Sequence, residues 1–353
     1  MSRAPDPARM IDWAFAVKVG STMAGEGPIV TASEAADCVA QLREDADRST
    51  PLVRQFTGLH AAERTAPVLV VDRAGWVQAN ADAFAQIMQP VVSKLFDRKG
   101  APGKLTQAVG SRVAGAEVGA LLGFMGNKVL GQFDPFHQAP EEHGRLLLVA
   151  PNIVNVEREL EVDSNDFRLW VCLHEETHRV QFTAVEWMRD YLSSELTSFI
   201  DAVPSDPGQI ATELFARIGD IVTGKSQGSL LDLVGSAEQK AVLERMTGVM
   251  SLLEGHADVV MDGVGPEVIP SVAEIRRRFT QRRKGVGGLD RILRRLLGLD
   301  QKMAQYRDGA VFVRQTIESV GMEGFNAVWS GPEQLPSKAE ILDPPQWLKR
   351  VHG

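Results

Sequence analysis

Cysteine is scarce in this chain. Two residues, Cys38 and Cys172, serve 353 positions, which excludes a disulfide framework and fits a reducing, cytoplasmic setting. An uninterrupted apolar run is missing as well. The most apolar window, residues 113–130, is broken by Glu117, Asn127 and Lys128 and carries several glycines, so no membrane span is expected. The opening Met1-Ser2-Arg3-Ala4-Pro5-Asp6 lacks the basic stretch, apolar segment and small-residue cleavage site of a secretory signal. Positive charge is not in excess either. A formal net charge of -8 gives no general attraction to nucleic acid or acidic lipid and mainly favours solubility. No repeat or low-complexity tract appears, and Cys172 has no convincing base partner, which weakens a cysteine-hydrolase reading.

What is present describes an ordinary globular protein: 44% hydrophobic and 24% charged residues, in a length that allows one or two domains. Residues 8–20 read as a short helix, and Ser33 is placed to cap a longer one running through Ala35, Val39 and Leu42 towards Leu59. Val68 to Val71 is a candidate strand, with Asp72 opening the helix after it. Gly110, Gly115, Gly119, Gly123 and Gly126 recur through a helical stretch, which suggests close backbone packing. Residues 1–130 therefore form a mostly helical N-terminal region. Around Gly131 to Phe136 the character changes. Arg145 to Ala150 and Ile153 to Val156 then read as strands joined by Pro151-Asn152, a small sheet preceding further helices. An edge strand of such a sheet can bind an extended peptide through its main chain. Residues 131–353 form the second domain, with a helical insertion at about 190–250. The fold class expected is α+β, predominantly helical.

The chemistry concentrates in His174-Glu175-Glu176-Thr177-His178, inside a segment whose apolar positions Phe167, Trp170, Val171 and Leu173 predict a helix capped by Asp163 or Ser164. Two histidines four apart lie within about 40° on a helix, so both imidazoles reach one ion, and Glu175 sits where a carboxylate can touch a water on it. Chance produces such a pattern in about one chain in a hundred of this length and histidine content. Two histidines and a water leave a zinc site one ligand short. Glu254 is the best candidate. Asp258, four residues on, shares its helix face and is placed to orient a ligand histidine. An ordinary solvated face is the plainer alternative, yet Met250, Leu252, Leu253, Val259 and Val260 surround the two carboxylates, and buried carboxylates need a partner. His256 falls about 200° from Glu254, away from the ion.

His174 to His178 with the later Glu254-Gly255-His256-Ala257-Asp258 resembles the gluzincin branch of zincin metallopeptidases. That resemblance implies a zincin-like core with a small sheet and an active-site helix, zinc held by His174, His178 and Glu254, and a peptide or amide substrate. Tyr306-Arg307-Asp308-Gly309-Ala310 resembles the tyrosine-x-x-glycine element of gluzincin aminopeptidases and implies that Tyr306 stabilises the oxyanion. With the Arg-rich segment and Gly324-Phe325-Asn326, the chain is also similar to an actinobacterial family of zincin-like proteins catalogued as hydrolases associated with deazaflavin coenzyme biosynthesis. One departure is the 76-residue separation of His178 and Glu254, where many gluzincins have roughly twenty residues. It implies inserted helices.

Other readings stay open. Gly219 to Ser226 is a formal phosphate-loop match, but it follows a helical pattern where a buried strand is needed. A zincin scaffold without turnover would serve as an interaction protein. The basic run Arg276-Arg277-Arg278, Arg282-Arg283-Lys284, Arg291, Arg294 and Arg295 reads as a solvated, salt-bridged helix pair or as a contact for a polyanion.

Overall fold

The computed structural model describes residues 10–60, 66–99, 104–139, 142–201, 237–284 and 299–353. The chain divides into two compact units, Met1–Ser49 with Glu63–Arg179, and Thr50–Ala62 with Val180–Gly353. Residue 130, expected as a domain boundary, lies inside the first unit. The reason is strand pairing: residues on either side of it share one sheet.

In the first unit, α1 (Trp13–Ala24) begins where Asp12 Oδ1 accepts from the amide of Phe15 at 3.0 Å. Helix α2 (Ala32–Thr57) is capped by Thr31 and not by Ser33. Thr31 Oγ1 accepts from the Glu34 amide while Glu34 Oε2 accepts from the Thr31 amide, at 3.2 and 2.7 Å, a reciprocal capping box. Strand β1 (Val68–Val71) leads into α3 (Arg73–Lys99), with Asp72 Oδ1 accepting from Gly75 N at 2.6 Å, as the sequence suggested. Helix α4 (Lys104–Gly126) lies against α1 along its glycine stripe. A Cβ on Gly115, Gly119 or Gly123 would meet the carbonyl oxygens of Asp12, Ala16 and Gly20 at 2.6, 2.4 and 2.7 Å, so the two backbones touch. Gly110 faces open space and takes no part.

Strands β2 (Gly131–Ala139) and β3 (Glu142–Val149) complete a three-stranded sheet of order β1-β3-β2, with β1 parallel and β2 antiparallel to β3. Trp76, Val77 and Leu122 pack with Leu147 and Val149 under it. The expected second strand at Ile153–Val156 is instead part of α5 (Ala150–Leu160). Pro151 starts the helix, and Ile153, Val156 and Leu160 are buried. Asn152 fixes the turn. Its Nδ2 donates to the carbonyls of Gly126 and Val129, and its Oδ1 accepts from Arg73 Nε. Helix α6 (Ser164–Ala184) follows, starting in the first unit and ending in the second.

The second unit is helical among its described residues. It holds α7 (Glu186–Asp201), α8 (Ala237–Gly263), α9 (Val272–Lys284), α10 (Leu299–Phe325), α11 (Lys338–Leu342) and α12 (Pro344–His352). Residues 202–236 of the expected insertion lie outside the described residues. Helices α8 and α10 cross at glycine: a Cβ on Gly255 would lie 2.2 Å from Gly309 C, and one on Gly309 would strike Ser251 O. Leu252, Ala257 and Val260 of α8 and Phe312 and Val313 of α10 are wholly buried. The observed architecture is thus α+β and mostly helical, with a small sheet. Among the described residues no helix is long and apolar enough to cross a membrane.

Candidate metal centre

Helix α6 opens on Asp163, whose Oδ1 accepts from Asp166 N at 3.0 Å. From Phe167 onward it is buried on nearly every side, Leu169, Val171, Cys172, Leu173 and Thr177 included. A helix buried on nearly every side belongs to a core, so the polar residues it carries are desolvated and need partners. Cys172 donates to the Leu42 carbonyl at 3.7 Å, and burial pushes its thiol well above the ordinary range, so it stays protonated and inert.

His174 and His178 project from successive turns with their Nε2 atoms 3.3 Å apart and their rings nearly perpendicular. Two nitrogens bound to zinc at 2.0–2.1 Å in a tetrahedron are separated by about 3.3–3.4 Å. The rings therefore stand at the spacing that a shared tetrahedral ion requires. Of the two glutamates between them, Glu176 is committed elsewhere. It is fully buried and accepts from Nε and Nη2 of Arg179, at 2.7 and 2.8 Å, while Nη1 of the same guanidinium donates to Ala66 O. Glu175 lies against the start of β2. A Cβ on Gly131 would sit 2.5 Å from Glu175 Cγ and 2.9 Å from its Oε1, so a side chain there would displace this carboxylate from its position.

Strand β2 is an edge of the sheet among the described residues. The amide of Val149 donates to Leu130 O, so residues 130, 132 and 134 turn their main-chain groups towards β3. By alternation, Gly131 and Phe133 point theirs away from it.

On α8, Glu254 is half-buried. His174, His178 and Glu254 each offer one ligand atom, and these atoms lie within 4.8 Å of one another, a group that could hold a metal ion. Two imidazole nitrogens and a carboxylate oxygen form a donor set that suits zinc with one position left for water or substrate. The Asp258 carboxylate accepts from Arg276 of α9 and, at 3.5 Å, from Arg314 of α10, while Asp262 takes the same two arginines at 2.7 and 2.9 Å. These bonds tie α9 and α10 to α8. Tyr306 falls on α10, and its side chain lies outside the described residues; Gly309, one turn on, is the residue that touches Gly255.

The basic run is partly accounted for. Arg276 serves the two aspartates, and Arg277 and Arg278 pair with Glu274 at 3.7 and 2.8 Å. The side chains of Arg283 and Lys284, with Arg291, Arg294 and Arg295, lie outside the described residues, as does the phosphate-loop match at 219–226.

Sequence reading missed three residues here. Gly131 gave no signal, since a strand-opening glycine is unremarkable until its neighbour is known. Gln181 and His256 were legible only as polar residues inside apolar helices. In the structure both are fully buried and bonded to each other.

The profile of the family described as zincin-like metallopeptidase matches residues 11–348. A solved structure from Chloroflexus aurantiacus, described as a candidate hydrolase with a novel fold, is 30% identical with a TM-score of 0.70, covering 97% of this chain and 99% of its own. Among curated proteins none matches. With its family match running almost end to end, the chain belongs to the zincin-like metallopeptidases.

Proposed function

We propose that this protein is a zinc-dependent hydrolase of peptide or amide bonds in which His174, His178 and Glu254 hold the ion and Glu175 is the general base. The observation that carries this reading is the gathering of the three ligand atoms within 4.8 Å, with the two Nε2 atoms at the separation of a tetrahedral edge. Zinc, when bound, supplies Lewis acidity that brings water towards ionisation near neutral pH and polarises a carbonyl oxygen. Glu175 then takes the proton of the attacking water and returns it to the departing amine. Its burial beside Gly131 keeps that carboxylate away from bulk solvent.

An extended substrate is favoured by β2, an edge strand of the sheet among the described residues. Tyr306 is proposed as donor to the developing oxyanion, a contribution of about 10²-fold or more in rate for such groups. The backbone contact of Gly309 with Gly255, next to Glu254, supports placing that turn of α10 near the site. A cytoplasmic setting belongs to the same proposal and is supported by two buried, free cysteines.

A Glu175→Gln protein should keep its zinc and lose cleavage of a mixed peptide library that the wild type digests. Cleavage surviving unchanged in that variant would remove Glu175 from the mechanism. A zinc-loaded wild type that cleaves nothing would favour the interaction-protein reading.

A further inference from the structure

Gln181 lies three residues beyond His178 on α6 and is fully buried. Its Nε2 is 3.0 Å from the carbonyl oxygen of Leu253 and 3.0 Å from Nδ1 of His256, the residues on either side of Glu254 and Gly255. A carbonyl oxygen only accepts, so the amide group facing Leu253 must be the NH₂ end of the side chain. Its second proton then goes to His256, whose Nδ1 accepts and whose ring proton is on Nε2. The His256 ring is itself fixed, with centroids 5.4 Å from those of both Phe325 and Trp329. One amide thus reads two points on α8, a main-chain carbonyl and a side chain three residues later. Two points set both the height and the rotation of that helix where a single bond would leave it free to turn.

Glu254 stands between those points. We infer that Gln181 and His256 are positioning residues, a buried brace that fixes Glu254 at ligand distance from His178 and His174, one and two turns earlier on α6. This rests on the proposed metal site. It assigns a task to a histidine that helical spacing directs away from the ion and to a glutamine with no chemistry of its own. Apolar packing alone would leave α8 a choice of small rotations, each moving the carboxylate by a fraction of an ångström. Directional hydrogen bonds in a dry setting penalise those rotations, because each would leave a buried donor or acceptor unmet.

The test is metal affinity, read by competition of the full-length protein with a chromogenic chelator for Zn²⁺, and by the visible spectrum of the Co²⁺-substituted protein. Gln181→Met keeps the length of the side chain and removes both hydrogen bonds. His256→Phe keeps a ring against Phe325 and Trp329 and removes the acceptor. Each variant should bind Zn²⁺ about 10–100-fold more weakly than wild type, with a changed Co²⁺ spectrum and an unchanged far-ultraviolet circular dichroism spectrum. The double variant should be little weaker than Gln181→Met alone, because that change already removes the bond to His256. His256→Asn, which keeps an acceptor near the Nδ1 position, should recover part of the loss. Full affinity in the folded Gln181→Met protein would overturn the inference. So would effects that add in the double variant, or a loss of affinity that tracks melting temperature across the set. If one single variant fails to fold, the other decides by the same criteria. Wild-type protein that binds no Zn²⁺ would instead sink the metal site, and the brace with it.

Discussion

Asp45 is the clearest stored cost in the first unit. Only 6% of its surface is exposed, and its Oδ2 has no hydrogen-bond partner among the described residues. Burial raises its pKa from 3.8 to about 6, with Arg48 opposing and Glu44 adding to the shift. The sign follows from linkage. Between pH 4 and 6 the unfolded chain has lost this proton and the folded one has kept it, so stability falls as pH rises, and the penalty is complete above pH 6. A shift of this size corresponds to at most about 3 kcal/mol. Asp45→Asn should therefore be more stable than wild type at pH 7.5, and that advantage should shrink towards pH 4, as read by urea denaturation at the two pH values. An advantage that does not change with pH would rule out the titration. Residues of this kind explain what sequence reading could not reach. His174, Glu175 and His178 declare themselves by spacing, because a helix turns spacing into direction. Asp258 declared a face but not a partner, since Arg276 and Arg314 arrive from other helices.

Among the elements, the contact of α1 with α4 makes a sharp forecast. Gly119→Val places a side chain where Ala16 O and Ala16 Cα would lie 2.4 and 3.0 Å from its Cβ, and backbone atoms do not step aside as a flexible side chain does. A loss of about 1–3 kcal/mol or more is expected. Gly110→Ala, in the same helix but facing open space, should instead hold or slightly raise the melting temperature, since glycine costs a helix up to about 1 kcal/mol relative to alanine. Equal losses in both variants would mean that the glycine stripe is not a packing device. That stripe was readable because its period matches the helix. The run Ile153 to Val156 was not, because three β-branched apolar residues around Asn155 carry no period long enough to separate a strand from a buried helix turn. The arbitration came from Pro151 and from Asn152, whose partners Gly126, Val129 and Arg73 are distant in sequence.

For the whole molecule, the class of fold and the candidate ligands one by one were legible in the sequence, while their meeting depends on the chain's return over the 76 positions between His178 and Glu254. No local pattern encodes that return. It is written in long-range packing such as the Gly255–Gly309 crossing, where absence of a side chain is the information. The reading of this protein as a metallohydrolase stands on the ion that these residues would share. Elemental analysis of purified protein, stripped with chelator, reloaded with zinc and passed through gel filtration, measures it directly beside His174→Ala and Glu254→Ala. One zinc per wild-type chain, with little retained by either variant, is the expected result. Wild type that emerges without zinc, or variants that keep a full equivalent, would contradict it.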